Sequence, residues 1–251
     1  MSSRNIFDIS ALSRPGFAED VGDLYHQYDT REPTPFHYFM DRLAATGRLL
    51  RHYTQNFDCL DTSLESLSSR TVSLHGRLDM VICTLCQASK RVSSEHYMET
   101  VGFPCESCTR RSQARISSGK RRMTIGRYRP KILLYGEPCP DDTEITACFE
   151  NDIWEADAVV IAGTRLQIPS LKRFTQDLCK RVKSQGGVII WVNTERPSLG
   201  AHFECLFQHK LQEECDNVVS QGFMIGRSDS CKAQEMTDKH CSERKARRAI
   251  V

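Results

Sequence analysis

Four cysteines have the spacing of a metal site. They form two C-x-x-C pairs, Cys83 with Cys86 and Cys105 with Cys108, and eighteen residues separate the pairs. This spacing is typical of a zinc ribbon, in which four thiolates surround the ion tetrahedrally. Because four sulfur ligands leave no open coordination position, we expect a structural Zn2+ ion and not a catalytic one. Chance pairing among the twelve cysteines is the alternative interpretation.

A disulfide framework is the alternative explanation for a high cysteine content. The first residues, MSSRNIFDIS, lack the charged-then-apolar layout of a signal peptide. Disulfides are rare in cytosolic and nuclear proteins, so we expect metal binding by the paired cysteines and ordinary thiols elsewhere.

A second group of residues is polar and follows short apolar runs. Its members are Gln55, Asn56, Asp58, His75, Gly136, Glu137, Gly163, Thr164 and Asn193. Open α/β sheets bind ligands at the carboxyl ends of their strands, so these positions are candidates for one binding edge. Each has an ordinary alternative role, since Asn and Asp favour turns and a lone His is often structural.

Two of these positions suggest particular chemistry. A neutral imidazole at His75 could accept a proton near physiological pH, as a general base does. Backbone amides at Gly163 and Thr164, followed by a helix, could approach a phosphate. The alternative for Gly163–Thr164 is a plain strand-to-helix turn.

The elements that must position these residues alternate between strands and helices. Short apolar runs at 131–135, 157–162 and 187–192 predict strands. Apolar residues at helical spacing occur at 35–46, before Gly47, and in the stretch 169–187, which ends in a glycine stop. We therefore predict an α/β fold, with a Rossmann-like parallel sheet, helices on both faces and a small zinc-ribbon insert.

Three segments follow from this pattern. Residues 1–75 and 131–218 are predicted to form the Rossmann-like domain, 76–130 the zinc module with a basic flank, and 219–251 a disordered polar tail. The flank is pronounced, because nine Lys and Arg residues and no acidic residue lie between Ser107 and Gly136.

Charge and hydropathy limit the partners. The formal net charge of +2 gives no global attraction to nucleic acid or membrane, and no apolar run is long enough to span a bilayer. The basic flank lacks interleaved aromatic residues, so direct binding of nucleic acid is not expected. A zinc-ribbon nucleic-acid binder is the weakest of three functional hypotheses.

The order of the motifs resembles that of the sirtuins, the NAD-dependent protein deacylases. The segments that carry the resemblance, between residues 5 and 218, are YTQN-x-D, LHG, the two C-x-x-C pairs, RPKILLYGEP, AGT-x-L-x-IP and VN-x-E. PTPFHYFMDRL, LLYGEPCPDD and ECDNVV look most like the fungal, nuclear, histone-deacetylating branch.

The resemblance implies an activity and a role for each site residue. The acetyl oxygen of the substrate would attack the ribose carbon of NAD, yielding lysine, nicotinamide and O-acetyl-ADP-ribose. His75 matches the general base, and Gln55, Asn56 and Asp58 match the pocket for nicotinamide and its ribose. Residues matching the rest of the cofactor site are Gly163, Thr164, Arg165, Asn193 and Cys215. The substrate would add a strand near Gly136 and Glu137.

Three positions depart from the family pattern. Arg165 replaces a small serine beside the cofactor, and Phe57 replaces an aliphatic residue and could narrow the nicotinamide pocket. The chain also lacks the family's opening strand, its G-A-G-x-S turn and the G-I-P-D-F-R loop. We expect that loss to leave two inner strand edges of the sheet unpaired, at a cost of about 1–3 kcal/mol for each buried group.

Two functional hypotheses follow from the resemblance. The first is an NAD-dependent deacetylase acting on acetylated histones in the nucleus, with cytoplasmic location as the alternative and chromatin association as a consequence. The second is a non-catalytic sirtuin-like module that binds chromatin or protein partners, which the absent glycine-rich turn favours.

Overall fold

The computed structural model describes residues 8–13, 16–220 and 248–251, and these divide into two compact units. Unit 1 contains 1–32, 54–60 and 73–143, and unit 2 contains 33–53, 61–72 and 144–251. The predicted zinc module, 76–130, falls within unit 1, which also takes in the N-terminal helix.

The structure contains helices and strands, which alternate regularly only from β5 to β8. The helices are α1 (Phe17–Asp29), α2 (Pro35–Ala45), α3 (Glu65–Ser68), α4 (Ser94–Tyr97), α5 (Glu106–Ser117), α6 (Asp142–Glu155), α7 (Pro169–Ser184) and α8 (Ala201–Glu204), with 3₁₀ turns at Ile9–Ser13 and Leu60–Ser63. The strands are β1 (Leu49–Thr54), β2 (Thr71–Ser73), β3 (Gly76–Cys83), β4 (Ser89–Arg91), β5 (Tyr128–Ile132), β6 (Ala158–Ala162), β7 (Val188–Val192), β8 (His209–Leu211) and β9 (Ala249–Ile250).

Unit 2 is built on a six-stranded sheet in the order β2-β1-β9-β6-β7-β8. The pairs from β1 through β9, β6 and β7 to β8 are all parallel. Alternate side chains point to opposite faces of a strand. Leu49 accordingly packs with α2, while Leu50 packs with α6 and α7. The predicted parallel sheet with helices on both faces is confirmed.

Two helices of unit 2 begin at the predicted residue and end within two residues of the predicted glycine stop. Residues 35–45 and 169–184 are helical, and in both Pro is the first residue, where its missing amide hydrogen costs nothing. In α7 the residues Leu178, Cys179 and Val182 are buried, at the spacing of one helical face.

The strand at 131–135 is the exception among the predicted strands. The structure forms β5 at Tyr128–Ile132 instead, and β5 pairs antiparallel with β3 in a separate three-stranded sheet of unit 1. The prediction of a parallel strand here was wrong. A five-residue apolar run indicates a buried strand, but it does not indicate which strand pairs with it or whether the pairing is parallel.

The C-terminal residues also differ from the sequence prediction. Residues 221–247 of the predicted disordered tail, 219–251, lie outside the described residues. The last residues of that tail form β9, which lies in the sheet between β1 and β6. The backbone amides of Ala249 and Val251 donate to the carbonyl oxygens of Arg48 and Arg51, at 2.8 and 3.0 Å. The amide of Tyr53 donates to the carbonyl oxygen of Val251 at 2.8 Å. The expected unpaired inner edges are therefore absent between β1 and β6, where β9 pairs with both strands.

Unit 1 packs around the three-stranded sheet β4-β3-β5. Its core contains α1, through Phe17, Val21 and Tyr25, and the cysteines at the end of β3 and the start of α5. The rings of Tyr25 and Tyr97 meet edge to face at 5.0 Å. None of the described helices is long and apolar enough to cross a membrane.

Candidate functional site

The four paired cysteines meet in unit 1. Their Sγ atoms all lie within 4.8 Å of one another, with 3.8 Å between Cys83 and Cys108 and 3.7 Å between Cys86 and Cys105. A tetrahedron with zinc–sulfur bonds of about 2.3 Å has edges of roughly 3.8 Å, so the cluster fits a zinc ion. A disulfide needs about 2.05 Å, and all four cysteines are free.

Backbone amides approach these thiols, although burial still raises the pKa of Cys83 to about 11. The amides of Leu85 and Cys86 each donate to Cys83 Sγ at 3.4 Å. Although burial alone raises the pKa of Cys105, hydrogen bonds from the amide of Cys108 and from neighbouring side chains lower it to about 6. A Cβ atom at Gly126 would lie 2.4 Å from Cys83 Sγ, so only glycine fits beside the cluster.

His75 is the residue whose environment is most specific. It lies between β2 and β3, half-buried, and its Nδ1 is 2.9 Å from the carbonyl oxygen of Gln55. A carbonyl can only accept, so Nδ1 carries the proton and Nε2 holds a free electron pair. Burial lowers the pKa of His75 and outweighs the hydrogen bond to Gln55, which raises it. The ring is therefore neutral at pH 7.

The loop that follows β1 contains Gln55, Asn56 and Asp58, and Gln55 O is its contact with His75. The amide of Leu74 donates to Thr54 O at 2.9 Å, which pairs the approach to His75 with the end of β1. The Thr54 hydroxyl accepts from the amide of Asn56 at 3.0 Å, and Asp58 accepts from the amide of Leu60 at 3.3 Å. Asn56 is exposed at the tip of this loop.

Phe57 occupies the position where an aliphatic residue was expected. Its ring packs against the core of unit 1 and meets Tyr28 edge to face at 6.4 Å. Its carbonyl accepts from the amide of Leu78 at 3.1 Å, which joins the loop to β3. The larger ring therefore has an anchoring role in the core.

The candidate residues of unit 2 gather at the carboxyl ends of β6 and β7. The Asn193 amide group donates to Thr164 O at 2.9 Å, and the Gly163 amide donates to Val192 O at 3.0 Å. Gly163 has φ of 62°, a conformation that side chains disfavour, and a Cβ there would lie 3.8 Å from Cys215 Sγ. The Gly163 amide is therefore bonded to the end of β7, and the missing side chain at Gly163 leaves space beside Cys215.

Arg165 has a partner that the sequence analysis did not select. Its guanidinium forms an ion pair with Glu195, and both side chains are more than half exposed. Such a surface pair contributes about 0–1 kcal/mol, so a phosphate could replace the carboxylate without a large loss of stability. The V-N-x-E spacing was the available signal for Glu195.

Gly136 and Glu137 lie in the loop after β5, in unit 1. Gly136 is exposed, but the Glu137 carboxylate is paired with the buried guanidinium of Arg129. Arg129 also donates to the carbonyls of Pro130 and Ile132 at 3.1 and 3.2 Å. The side chain of Glu137 therefore holds the loop in place.

Replacing Glu137 with Gln should destabilise unit 1 by about 3–5 kcal/mol, because it leaves the buried charge of Arg129 uncompensated. Burial lowers the pKa of Arg129, more than Glu137 raises it, but an arginine stays charged at neutral pH. Urea unfolding measures the effect, with the exposed Glu99→Gln as the matched control. Equal stability of the two variants would show that Glu137 has no structural role.

Comparison with known proteins identifies relatives of the chain. Residues 2–170 match the model of the Sir2 family. The chain is 34% identical over 216 residues to "NAD-dependent protein deacetylase hst4" of Emericella nidulans, covering 81% of this chain and 36% of the relative. It is 33% identical over 199 residues to "NAD-dependent histone deacetylase HST4" of Saccharomyces cerevisiae, covering 72% and 54%. The chain thus spans about a third to a half of the length of these curated relatives.

Solved structures share the fold. A Sir2 homologue in complex with NAD has 25% identity and a TM-score of 0.59, covering 86% of this chain and 77% of that one. A sirtuin studied for substrate affinity has 19% identity and a TM-score of 0.66, covering 89% and 82%. The second likeness concerns the fold alone.

Proposed function

Because the chain belongs to the Sir2 family, we propose that it is an NAD-dependent protein-lysine deacetylase that acts on acetylated histones. Its products would be deacetylated lysine, nicotinamide and O-acetyl-ADP-ribose. The observation that carries this proposal is the bond from His75 Nδ1 to Gln55 O, which leaves a neutral proton acceptor beside the Asn56 loop.

Two groups of residues would hold the cofactor. Gln55, Asn56 and Asp58 would contact the nicotinamide and its ribose. The remaining contacts would come from Gly163, Thr164, Arg165, Asn193 and Cys215. When bound, NAD supplies an electrophilic ribose carbon and nicotinamide as the leaving group.

His75 would act as the general base through Nε2. Its tautomer is fixed by Gln55, so the ring does not have to turn or exchange protons before it accepts one. A base that is neutral at pH 7 is ready to act, and general-base catalysis contributes about 10²–10⁴ in rate. The zinc ion, with four sulfur ligands, would have no part in this step.

Histone substrates and nuclear location rest on the relatives' names. The Saccharomyces cerevisiae relatives are named NAD-dependent histone deacetylases. We infer nuclear action and an acetylated histone tail as the substrate of this chain. Gly136 would lie beside the bound peptide strand.

Nicotinamide release tests the proposal. The purified, zinc-loaded chain is incubated with NAD and an acetylated histone peptide, beside His75→Ala and the exposed control His209→Ala. We expect peptide-dependent release that falls by about 10²–10⁴ in His75→Ala and is unchanged in the control. Because burial lowers the pKa of His75 below that of an ordinary histidine, the loss of rate on acidification should begin at a lower pH than for an unperturbed imidazole.

Absence of release from folded, zinc-loaded protein would reject the catalytic proposal for this chain. Release that persists in His75→Ala would instead reject His75 as the base. In the first case the non-catalytic, partner-binding hypothesis is the better one.

A further inference from the structure

One face of unit 1 carries a concentrated positive charge outside the candidate catalytic residues. Six exposed cations form it, and we call them the basic surface. They are Arg110, Arg111, Arg115, Lys120, Arg121 and Arg122. The first three lie on α5 and the others lie in the segment that follows it.

The fold brings the two groups of cations together. Arg115 Nε donates to the carbonyl of Arg121 at 3.2 Å, and the amide of Lys120 donates to the carbonyl of Arg115 at 2.8 Å. The amide of Met123 donates to Ser112 Oγ at 3.2 Å. The segment therefore folds back along the last turns of α5, and its cations lie beside those of the helix.

Among the described residues, carboxylates offset little of this charge, although Glu106 interacts electrostatically with Arg110. None of the salt bridges within 8–13, 16–220 and 248–251 includes any of the six cations. Glu106, the acidic residue of α5, is paired with Lys90 at 2.6 Å. Cys108 and Ser112 are buried and mark the inner face of α5. Arg111 borders that face, with its guanidinium 3.9 Å from Cys108 Sγ, yet it is exposed like the other five cations.

The chemistry of the cations favours phosphate as the partner. Five of the six are arginines, whose planar guanidinium binds phosphate with two parallel hydrogen bonds. A helix of twelve residues is about 18 Å long, and duplex DNA carries one negative charge per roughly 1.7 Å of axis. One face of α5 can therefore reach several phosphates.

We propose that the basic surface binds the phosphate backbone of double-stranded DNA without regard to sequence. The sequence analysis did not expect nucleic-acid binding, because aromatic residues are missing from this stretch. Aromatic residues stack on the bases of single strands, whereas contacts with duplex phosphates need only cations. Such binding would bring the chain to the chromatin substrate of the proposed function. DNA binding itself would not require deacetylase activity.

Fluorescence anisotropy with a labelled 30-base-pair duplex at 50–200 mM salt tests this proposal. The variant is Arg110→Gln, Lys120→Gln and Arg122→Gln. The control, Arg173→Gln, Lys180→Gln and Lys210→Gln, removes three exposed cations elsewhere. If all six cations contact phosphates, the slope of log Kobs against log salt should be about −5 for the wild type and the control. The variant should have a slope of roughly −3 and at least about tenfold weaker binding at 50 mM.

Zinc content and circular dichroism show that each variant is folded. If the triple variant fails to fold, the double variant Arg110→Gln and Lys120→Gln replaces it. Equal slopes for variant and control, or no binding by the wild type, would overturn the proposal. Binding to a poly-glutamate peptide without binding to the duplex would also overturn it, and would identify an acidic protein segment as the partner.

Discussion

Replacing Cys105 with serine is expected to abolish zinc binding and to unfold the zinc-dependent part of unit 1. Cys83 and Cys105 are completely buried and belong to the core of that unit. Structural zinc supplies about 10–16 kcal/mol of apparent binding free energy. The free energy of unfolding of a typical domain is about 5–15 kcal/mol, so loss of the ion can remove most or all of the stability. A chelator should have the same effect on the wild type.

The measurement is zinc content by mass spectrometry together with thermal unfolding followed by tyrosine fluorescence. A loss above about 5 kcal/mol should lower the midpoint by at least roughly 10 °C. Cys205→Ser, an exposed thiol outside the cluster, is the control and should retain one zinc ion. A wild type that is purified without zinc and is indifferent to chelator would contradict the assignment of a zinc centre.

Replacing Ile250 with aspartate is expected to unfold unit 2, with a loss above about 4 kcal/mol. Ile250 is 3% exposed and pairs with Val159 of β6 on one side and with Arg51 of β1 on the other. An ionised carboxylate at this position would be buried without a partner. The next residue, Val251, packs on the opposite face with α2, so β9 serves both layers of the core.

Urea unfolding followed by tryptophan emission measures this effect. Both tryptophans of the chain belong to unit 2, and Trp191 is 2% exposed in the core that Ile250 enters. Graded substitutions provide the controls, with losses of about 0.5–1.5 kcal/mol for Ile250→Val and 2–5 kcal/mol for Ile250→Ala. If Ile250→Asp were as stable as the wild type, β9 would not be part of the sheet in solution.

These two regions differ in how far the sequence predicts them. The C-x-x-C pairs determine the zinc centre because ligand type and spacing are local features. The helices at 35–45 and 169–184 and the strands at 158–162 and 188–192 are likewise visible in local periodicity. The roles of His75 and of the Asn56 loop remain predictions, based on motifs that the chain shares with its family.

The sequence alone predicts the class of fold, the four cysteines that could hold a metal ion and the residues to test. Only the tertiary structure decided which strands pair, because a short apolar run looks alike in a parallel and an antiparallel sheet. It placed β5 against β3 and inserted β9 between β1 and β6, where the sequence indicated an unpatterned tail. It also decided the partners of single charges, Arg129 with Glu137 and Arg165 with Glu195. Arg129 and Glu137 are 8 residues apart in the chain, and Arg165 and Glu195 are 30 apart. Both pairs depend on how the intervening backbone folds, which no local pattern records.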